Sequence, residues 1–204
     1  MNSQIQKLFD AIRLYKFGFI NVFINKCFSR YITYHVYLIY KFDLADEVIP
    51  QDQVIIKKVQ NLRGELFKKF RKKFPSHEFL SMFNQQHNIC YVAISDGEIV
   101  AYAWVAEKEF FIEGINYIYP LKKDEIFLYS CFVTRSHRGK GIHSAMINER
   151  LNDYIKDGRY TSAYVGVLSV NKGSIKGIEK AGFKKINKIR YVKLLNKEFW
   201  SYKK

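Results

Sequence analysis

The spacing of apolar side chains divides the chain into two parts. Residues 3–15 and residues 17–30 each place apolar side chains on one helical face, and Gly18 lies between the two patterns. These patterns predict two short amphipathic helices as an N-terminal extension. Two interpretations of them stay open: either they pack on the rest of the chain or on a second copy, or their basic residues contact an anionic membrane face.

From residue 31 onwards, β-branched and aromatic runs alternate with segments of helical periodicity, which is typical of an α/β domain. The Asp96-Gly97 pair between two apolar runs predicts a tight hairpin. The predicted strands cover residues 31–42, 54–56, 90–94, 99–105, 125–133, 160–168 and 183–195, with a further strand near 115–119, and the predicted helices cover residues 60–73, 76–86, 142–156 and 171–181.

The segment that joins strand 125–133 to the next helix has the pattern of an anion-binding turn. Gly139 and Gly141 allow the main chain to approach a ligand closely, Arg138 adds positive charge, and the following helix N-terminus offers unpaired N–H groups. The spacing does not fit a Walker A loop, and Ser144 stands where a dinucleotide-binding turn has its third glycine.

Two motifs in this half of the chain resemble those of the GNAT N-acetyltransferases. The run Arg138-Gly139-Lys140-Gly141-Ile142 resembles the acyl-CoA-binding signature of that family, with Val133 at the preceding hydrophobic position. The run from Asn171 to Phe183 is similar to the later motif Asn-x-x-Ser-Ile-x-x-x-Glu-Lys-x-Gly-Phe. The resemblance covers about residues 88–195, and His143 departs from it because the family has Gly or Ala there.

The resemblance implies the α/β GNAT acyl-CoA N-acyltransferase fold, a central mixed and mostly antiparallel sheet flanked by helices, over residues 31–204, with residues 1–30 as the two-helix extension. It also implies that strands 125–133 and 160–168 splay apart around acetyl-CoA. The residues implied to bind this cosubstrate are Cys131, Phe132 and Val133 along the pantetheine, Arg138, Gly139, Lys140, Gly141, Ile142, His143 and Ser144 at the pyrophosphate, and Asn171 at the cofactor arm.

Two of these residues have alternative roles. For His143, either the backbone N–H alone contacts the phosphate with the imidazole turned aside, or the imidazole adds a charge. Asn171 lies before a predicted helix and could cap it as well as contact the cofactor.

The resemblance further implies direct attack of an amine on the thioester. Many GNAT enzymes have a tyrosine at the position of Ile178 to protonate the leaving thiolate, so Ser174 becomes the general-acid candidate, or else a helix-capping residue. Tyr129 and Glu125 are the candidate general bases. Tyr129 would share the side of its strand with Val133 if no bulge intervened.

The length, net charge and cysteine content limit the domain organisation and the possible binding partners. The length of 204 residues suits one domain, or one domain with an appendage. The net charge of +15 indicates either a lysine-rich solvated surface or attraction to a polyanion such as CoA, an anionic membrane face or nucleic acid. Cys27, Cys90 and Cys131 are far apart in the sequence, which argues against a disulfide framework or a metal site and suits a reducing cytoplasm. No signal-peptide pattern is present at the N-terminus, and Cys131 is interpreted as strand packing, not as a nucleophile.

These observations together predict an acetyl-CoA-dependent N-acetyltransferase. Residues 43–87 and 106–124 carry many lysines and aromatics, which favours a small anionic amine as acceptor, such as a nucleotide-linked amino sugar. The alternatives are acetylation of protein N-termini or lysines, or a non-catalytic basic module that binds membrane or nucleic acid. No nucleic-acid partner is expected for the enzyme, which would be a monomer or a homodimer.

Overall fold

A computed structural model describes residues 32–46, 48, 54–59, 64–74, 88–195 and 197–203. The predicted helices at 3–15, 17–30 and 76–86 therefore lie outside the described residues, as does the proposed boundary between residues 30 and 31. The strands are β1 (Ile32–Asp43), β2 (Ile55–Val59), β3 (Asn88–Ser95), β4 (Glu98–Ala106), β5 (Phe110–Ile112), β6 (Tyr117–Tyr119), β7 (Glu125–Val133), β8 (Ser162–Leu168), β9 (Lys184–Leu194) and β10 (Lys197–Lys203), and the helices are α1 (Glu65–Lys73), α2 (Ile142–Asp157) and α3 (Lys172–Lys180).

Eight of these strands form one sheet in the order β10-β9-β1-β8-β7-β4-β3-β2, and β5 and β6 form a small separate hairpin. Every neighbouring pair in the large sheet is antiparallel except β7 and β8, which are parallel. Parallel neighbours need a long crossover, and α2 supplies it. The predicted mixed, mostly antiparallel sheet flanked by helices is confirmed.

The two faces of the sheet bury different side chains because neighbouring residues of a strand point to opposite faces. On the first face, Leu128 and Ile126 of β7 pack with Ile142, Met146 and other apolar residues of α2. On the opposite face, the β5–β6 hairpin packs on β7 through residues that include Phe127. Helix α1 covers the β2–β4 end of that opposite face with Phe67 and Phe70.

Strand β10 forms the edge of the sheet beside β9, and sequence periodicity did not predict it. Its Trp200 indole donates a hydrogen bond to the Ile115 carbonyl at 2.7 Å, and Glu198 accepts one from the Asn116 side chain at 2.7 Å. These bonds tie the edge strand to the segment between β5 and β6. The turn before β10 bends at Leu195 with φ of 55°, a conformation for which Gly is the usual sequence signal.

Candidate active site

The parallel pair β7–β8 opens into a cleft in the middle of the sheet. The two strands pair from Glu125 opposite Ser162 to Leu128 opposite Val165, and within the described residues their ladder ends there. Beyond Leu128, the edge of β7 that faces β8 presents main-chain N–H and C=O groups to the gap, where they can pair with an extended ligand. The splay implied by the resemblance is therefore present.

A β-bulge in β7 lies at the mouth of this gap. Tyr129 pairs with Trp104 of β4 and Phe132 pairs with Tyr102, so Ser130 and Cys131 together oppose the single residue between them. Ser130, within the bulge, has φ of 44°, a left-handed conformation that is uncommon for residues other than glycine.

The bulge decides which face each β7 side chain occupies. Cys131 and Val133 pack with the cluster under α2. Tyr129 packs on the opposite face, where its ring lies 4.5 Å from that of Phe110. The condition for Tyr129 to share a side with Val133 therefore fails.

The turn after β7 is built from a short 3-10 turn at Arg135–His137 followed by two glycines with positive φ, Gly139 at 79° and Gly141 at 75°. Gly141 is the N-cap residue of α2 and has no side chain to cap it. The first N–H groups of α2 therefore face outward, where an anion can bind them. Arg138 is held beside the turn because its Nε donates to the Val133 carbonyl at 3.1 Å.

An outer cavity of about 650 Å³ lies over this turn and between α2 and α3. Its volume is in the usual range for a small-molecule or cofactor site. Of the residues expected to bind the cosubstrate, Lys140 alone does not line either this cavity or the inner one described next. The outer cavity is lined by Cys131, Phe132, Val133, His137, Arg138, Gly139, Gly141, Ile142, His143, Ser144, Asn171, Gly173, Ser174 and Gly177.

An inner cavity of about 190 Å³ continues from it into the gap between β7 and β8. The two cavities share Cys131, His143, Asn171 and Ser174 in their linings. The inner cavity extends to the opposite face of the sheet, where Tyr37, Tyr129 and Gly166 line it. Residues from both faces of the sheet therefore line the inner cavity.

His143 packs its imidazole against α3. A Cβ placed on Gly177 would lie 2.6 Å from His143 Nδ1, so the absence of a side chain on Gly177 makes room for this ring. Burial, with the nearby Arg150 charge acting in the same direction, lowers the pKa of His143 to about 4. The imidazole is therefore neutral at pH 7, which favours the interpretation that only its backbone N–H faces a phosphate.

The N-terminus of α3 separates the roles of Asn171 and Ser174. The Asn171 side chain caps the helix by accepting a hydrogen bond from the Ser174 N–H at 3.1 Å. Within the described residues, the Ser174 hydroxyl takes no part in that cap. Because Ser174 lines both cavities, its hydroxyl is available to a ligand where the two cavities meet.

The two candidate bases lie in different places. Tyr129 lines the inner cavity, but its hydroxyl makes no hydrogen bond within the described residues and burial raises its pKa well above the ordinary value. Glu125 does not line either cavity. It lies at the paired end of β7, where it is buried and accepts hydrogen bonds from the Tyr164 hydroxyl at 3.0 Å and the Lys122 N–H at 2.9 Å. The structure therefore does not bring Glu125 to the gap.

Sequence reasoning did not identify several residues of the cavities, and three of them bear on the chemistry or packing of the site: His137, Gly177 and Arg150. His137 lines the outer cavity and lies 3.0 Å from the hydroxyls of both Thr134 and Ser136. Gly177 was passed over as an ordinary helix position. Arg150 is 2% exposed and lines the inner cavity. The sequence did indicate that Arg150 could be buried, because it lies four residues after Met146 and so on the apolar face of the helix.

Two further properties concern the described part of the chain alone. There, no helix is both long and apolar enough to cross a bilayer. No cluster of three or more His, Cys, Asp or Glu side chains suited to a metal ion is found among the same residues.

The fold resembles several solved acetyltransferase structures. A GCN5-related N-acetyltransferase from Kribbella flavida matches with a TM-score of 0.56 at 13% identity, over 80% of this chain and 60% of the other. A putative GNAT acetyltransferase from Novosphingobium aromaticivorans matches with a TM-score of 0.53 at 14% identity, over 79% of this chain and 64% of the other. The chain thus spans about three fifths of the length of these proteins.

The sequence itself carries the family assignment. No curated protein matches it significantly. The profile of the family described as "Acetyltransferase (GNAT) family" matches residues 57–183, which is more than half of the chain and includes β7, the glycine turn, α2, β8 and α3. The chain therefore belongs to the GNAT acetyltransferase family.

Proposed function

We propose that this protein is an N-acetyltransferase that takes the acetyl group of acetyl-CoA and transfers it to the primary amine of a small anionic acceptor. The observation that carries the proposal is the gap between β7 and β8, which joins a phosphate-type turn on one face of the sheet to an open aromatic pocket on the other. A donor and an acceptor can thus meet inside the sheet from opposite sides.

The residues around the outer cavity fit coenzyme A. The N–H groups at the start of α2 and the Arg138 guanidinium suit the pyrophosphate, because both are donors to an anion. The free edge of β7 at Cys131 and Val133 suits the amides of the pantetheine arm, which would pair with it as an added strand. A backbone N–H at the bulge is suitably placed to stabilise the carbonyl oxygen of a thioester as it gains negative charge.

Among the described residues that line the gap, Ser174 is the candidate proton donor, and none is an Asp or Glu that could act as general base. The Ser174 hydroxyl, which the helix cap leaves free, would protonate the departing thiolate. The raised pKa of Tyr129 keeps it a neutral phenol, so it is suited to orient the incoming amine by a hydrogen bond and not to deprotonate it. We infer that the amine loses its proton to water in the open cleft. Burial also raises the pKa of the Cys131 thiol, which fits a packing role and not a nucleophile.

The charge of the inner cavity supports a neutral or anionic acceptor. Its described lining contains no Asp or Glu, and Arg150 is a cation. A polycationic acceptor would find no counter-charge there and would be repelled. The rings of Tyr37 and Tyr129 at the acceptor side suit an acceptor that carries a flat or sugar ring.

The lysines of α1 contribute less than the sequence predicts. Lys69, Lys72 and Lys73 line a separate groove beside the β3–β4 turn, not the gap itself, and Lys73 is paired with Glu98 at 2.9 Å. Their helix turns its apolar side to the sheet and its basic side to solvent. They can attract an anionic acceptor at long range, but they do not bind it in the cleft.

The test is a thiol-release screen with acetyl-CoA and a panel of amines. Amino sugars, nucleotide-linked amino sugars, polyamines, aminoglycosides and short peptides form the panel. We expect release above background with the nucleotide-linked sugars and none with the polyamines. Turnover on an aminoglycoside or polyamine alone would contradict the acceptor class, and turnover on peptides alone would assign the protein to N-terminal or lysine acetylation. The absence of any CoA binding would favour a non-catalytic module.

A further inference from the structure

Arg150 is the most deeply buried cation in the described part of the chain, with 2% of its surface exposed. Its Nε donates to the Met146 carbonyl at 2.9 Å, and its Nη1 donates to the Trp104 carbonyl at 2.8 Å. Trp104 is the residue of β4 beside the bulge. These two bonds hold the guanidinium in a fixed place under the gap.

No carboxylate of the described residues forms an ion pair with Arg150. The carboxylates on nearby elements are engaged elsewhere: Asp153 accepts a hydrogen bond from the Tyr91 hydroxyl at 2.8 Å, and Glu107 accepts one from the Tyr154 hydroxyl at 2.7 Å. Burial of a charge without a counter-ion is costly, and burial indeed lowers the pKa of Arg150 from its ordinary value.

The third guanidinium nitrogen, Nη2, makes no hydrogen bond within the described residues. Arg150 lines the inner cavity together with His143 and Ile147, one turn apart along the same face of α2. That face lies on the donor side of the sheet, where Cys131 and Leu128 also line the cavity. The acceptor side is lined by Tyr37 and Tyr129 on the opposite face.

From this placement we propose that Arg150 binds a carboxylate at the end of the acyl group of the donor. The protein would then accept, besides acetyl-CoA, a CoA thioester of a dicarboxylic acid such as malonyl-, succinyl- or glutaryl-CoA. The inference rests on the proposed donor site. The carboxylate of the acyl chain supplies a counter-ion, and the Nη2 group of the guanidinium supplies charge-assisted N–H donors to it.

The reaction stays the same acyl transfer and needs no other reactant. The amine nitrogen bonds to the thioester carbon, the carbon–sulfur bond breaks, the sulfur takes a proton from Ser174 or water, and the amine gives one proton to water. The distal carboxylate is unchanged and ends in the product, which is an N-acyl amine with a free acid. When the donor is acetyl-CoA, the short acyl group has no carboxylate for Arg150, and water occupies that end of the inner cavity.

The experiment compares two thioesters with the same chain length. Succinyl-CoA and butyryl-CoA both carry four-carbon acyl groups and differ in the terminal carboxylate, which the second replaces with a methyl group. Their dissociation constants are measured by calorimetry for the full-length wild type, for Arg150→Gln and for Arg159→Gln. The last is a matched control, because Arg159 is an exposed arginine paired with Asp157 outside both cavities.

We expect wild type and Arg159→Gln to bind succinyl-CoA about tenfold or more tightly than butyryl-CoA. In Arg150→Gln, which removes the charge and keeps a polar N–H group, the ratio should fall to one or below. Equal affinities of wild type for the two thioesters would overturn the inference, even if Arg150→Gln fails to fold. If the affinities are equal but wild type still binds unacylated CoA, the proposed donor site stands. If wild type binds no form of CoA, the proposed function is refuted as well.

Discussion

The contact between His143 and Gly177 predicts an unusual response to a conservative substitution. Replacing a helix-interior glycine with alanine normally stabilises a helix by about 1 kcal/mol. In Gly177→Ala, the new methyl group would lie 2.6 Å from His143 Nδ1 and 3.2 Å from Cε1, so the ring or the helix must move. Overpacking of this kind costs about 1–3 kcal/mol. The helix gain and the packing cost therefore oppose each other in wild type.

In the His143→Ala background the packing cost disappears. Gly177→Ala should then show the full helix gain of about 1 kcal/mol, so the effect of the same substitution should differ by about 1–3 kcal/mol between the two backgrounds. The free energies of unfolding of wild type, both single variants and the double variant are measured by urea titration. Each single variant serves as the control for the other.

The imidazole can avoid the clash by rotating into the cavities that it lines. The free energy of unfolding would then change little, but the rotated ring would occupy space needed by the ligand. Gly177→Ala should therefore weaken CoA binding in wild type but not in the His143→Ala background. If Gly177→Ala has the same effect in both backgrounds on the free energy of unfolding and on CoA binding, the His143 ring does not restrict position 177.

Further predictions follow from the same site. Arg138→Ala should weaken CoA binding about tenfold by calorimetry, because it removes a charge-assisted donor, whereas Arg135→Ala, a neighbouring arginine outside the cavities, should not. Ser174→Ala should lower kcat and leave the melting temperature unchanged, whereas Asn171→Ala should cost about 1 kcal/mol of stability because it removes the cap; the opposite pattern would make Ser174 the structural residue. Gly141→Val should lower both CoA affinity and stability, since φ of 75° disfavours a β-branched residue, and unaltered unfolding in urea would contradict this. The pKa of His143 is about 4 in the folded chain and 6.5 when unfolded, so the unfolded state binds the proton first and stability should fall as pH drops from 6.5 towards 4; this slope should be smaller in His143→Ala.

The strongest periodic segments were predicted closely. β7 has the predicted bounds, and α2 exceeds its prediction by one residue, because both combine a clear apolar pattern with a glycine turn between them. Helix α1 begins at Glu65, later than predicted. Its N-cap residue, Gly64, has no side chain to accept a capping hydrogen bond, so the usual sequence signal for a helix start is missing. The hairpin at Asp96-Gly97 formed as the turn signal predicts.

Features that depend on tertiary contacts were beyond sequence reasoning. The bulge at Ser130 places a non-glycine residue at positive φ, which no local pattern indicates, and it moves Tyr129 to the acceptor face. Nothing in the sequence indicated a partner for Glu125, but in the structure its carboxylate accepts a hydrogen bond from the Tyr164 hydroxyl of the neighbouring strand. Arg150 lies buried where its Nη1 donates to the Trp104 carbonyl of β4 beside the bulge, and the pairing of β4 with β7 that places this group there is a long-range contact.

The central claim is that the joined cavities between α2, α3 and the splayed strands hold coenzyme A. Calorimetric titration of the full-length protein with acetyl-CoA, in parallel with Arg138→Ala and Arg135→Ala, tests it most directly. We expect saturable one-to-one binding that Arg138→Ala weakens about tenfold and Arg135→Ala does not change. No heat of binding at millimolar acetyl-CoA, or equal affinity in all three proteins, would contradict it.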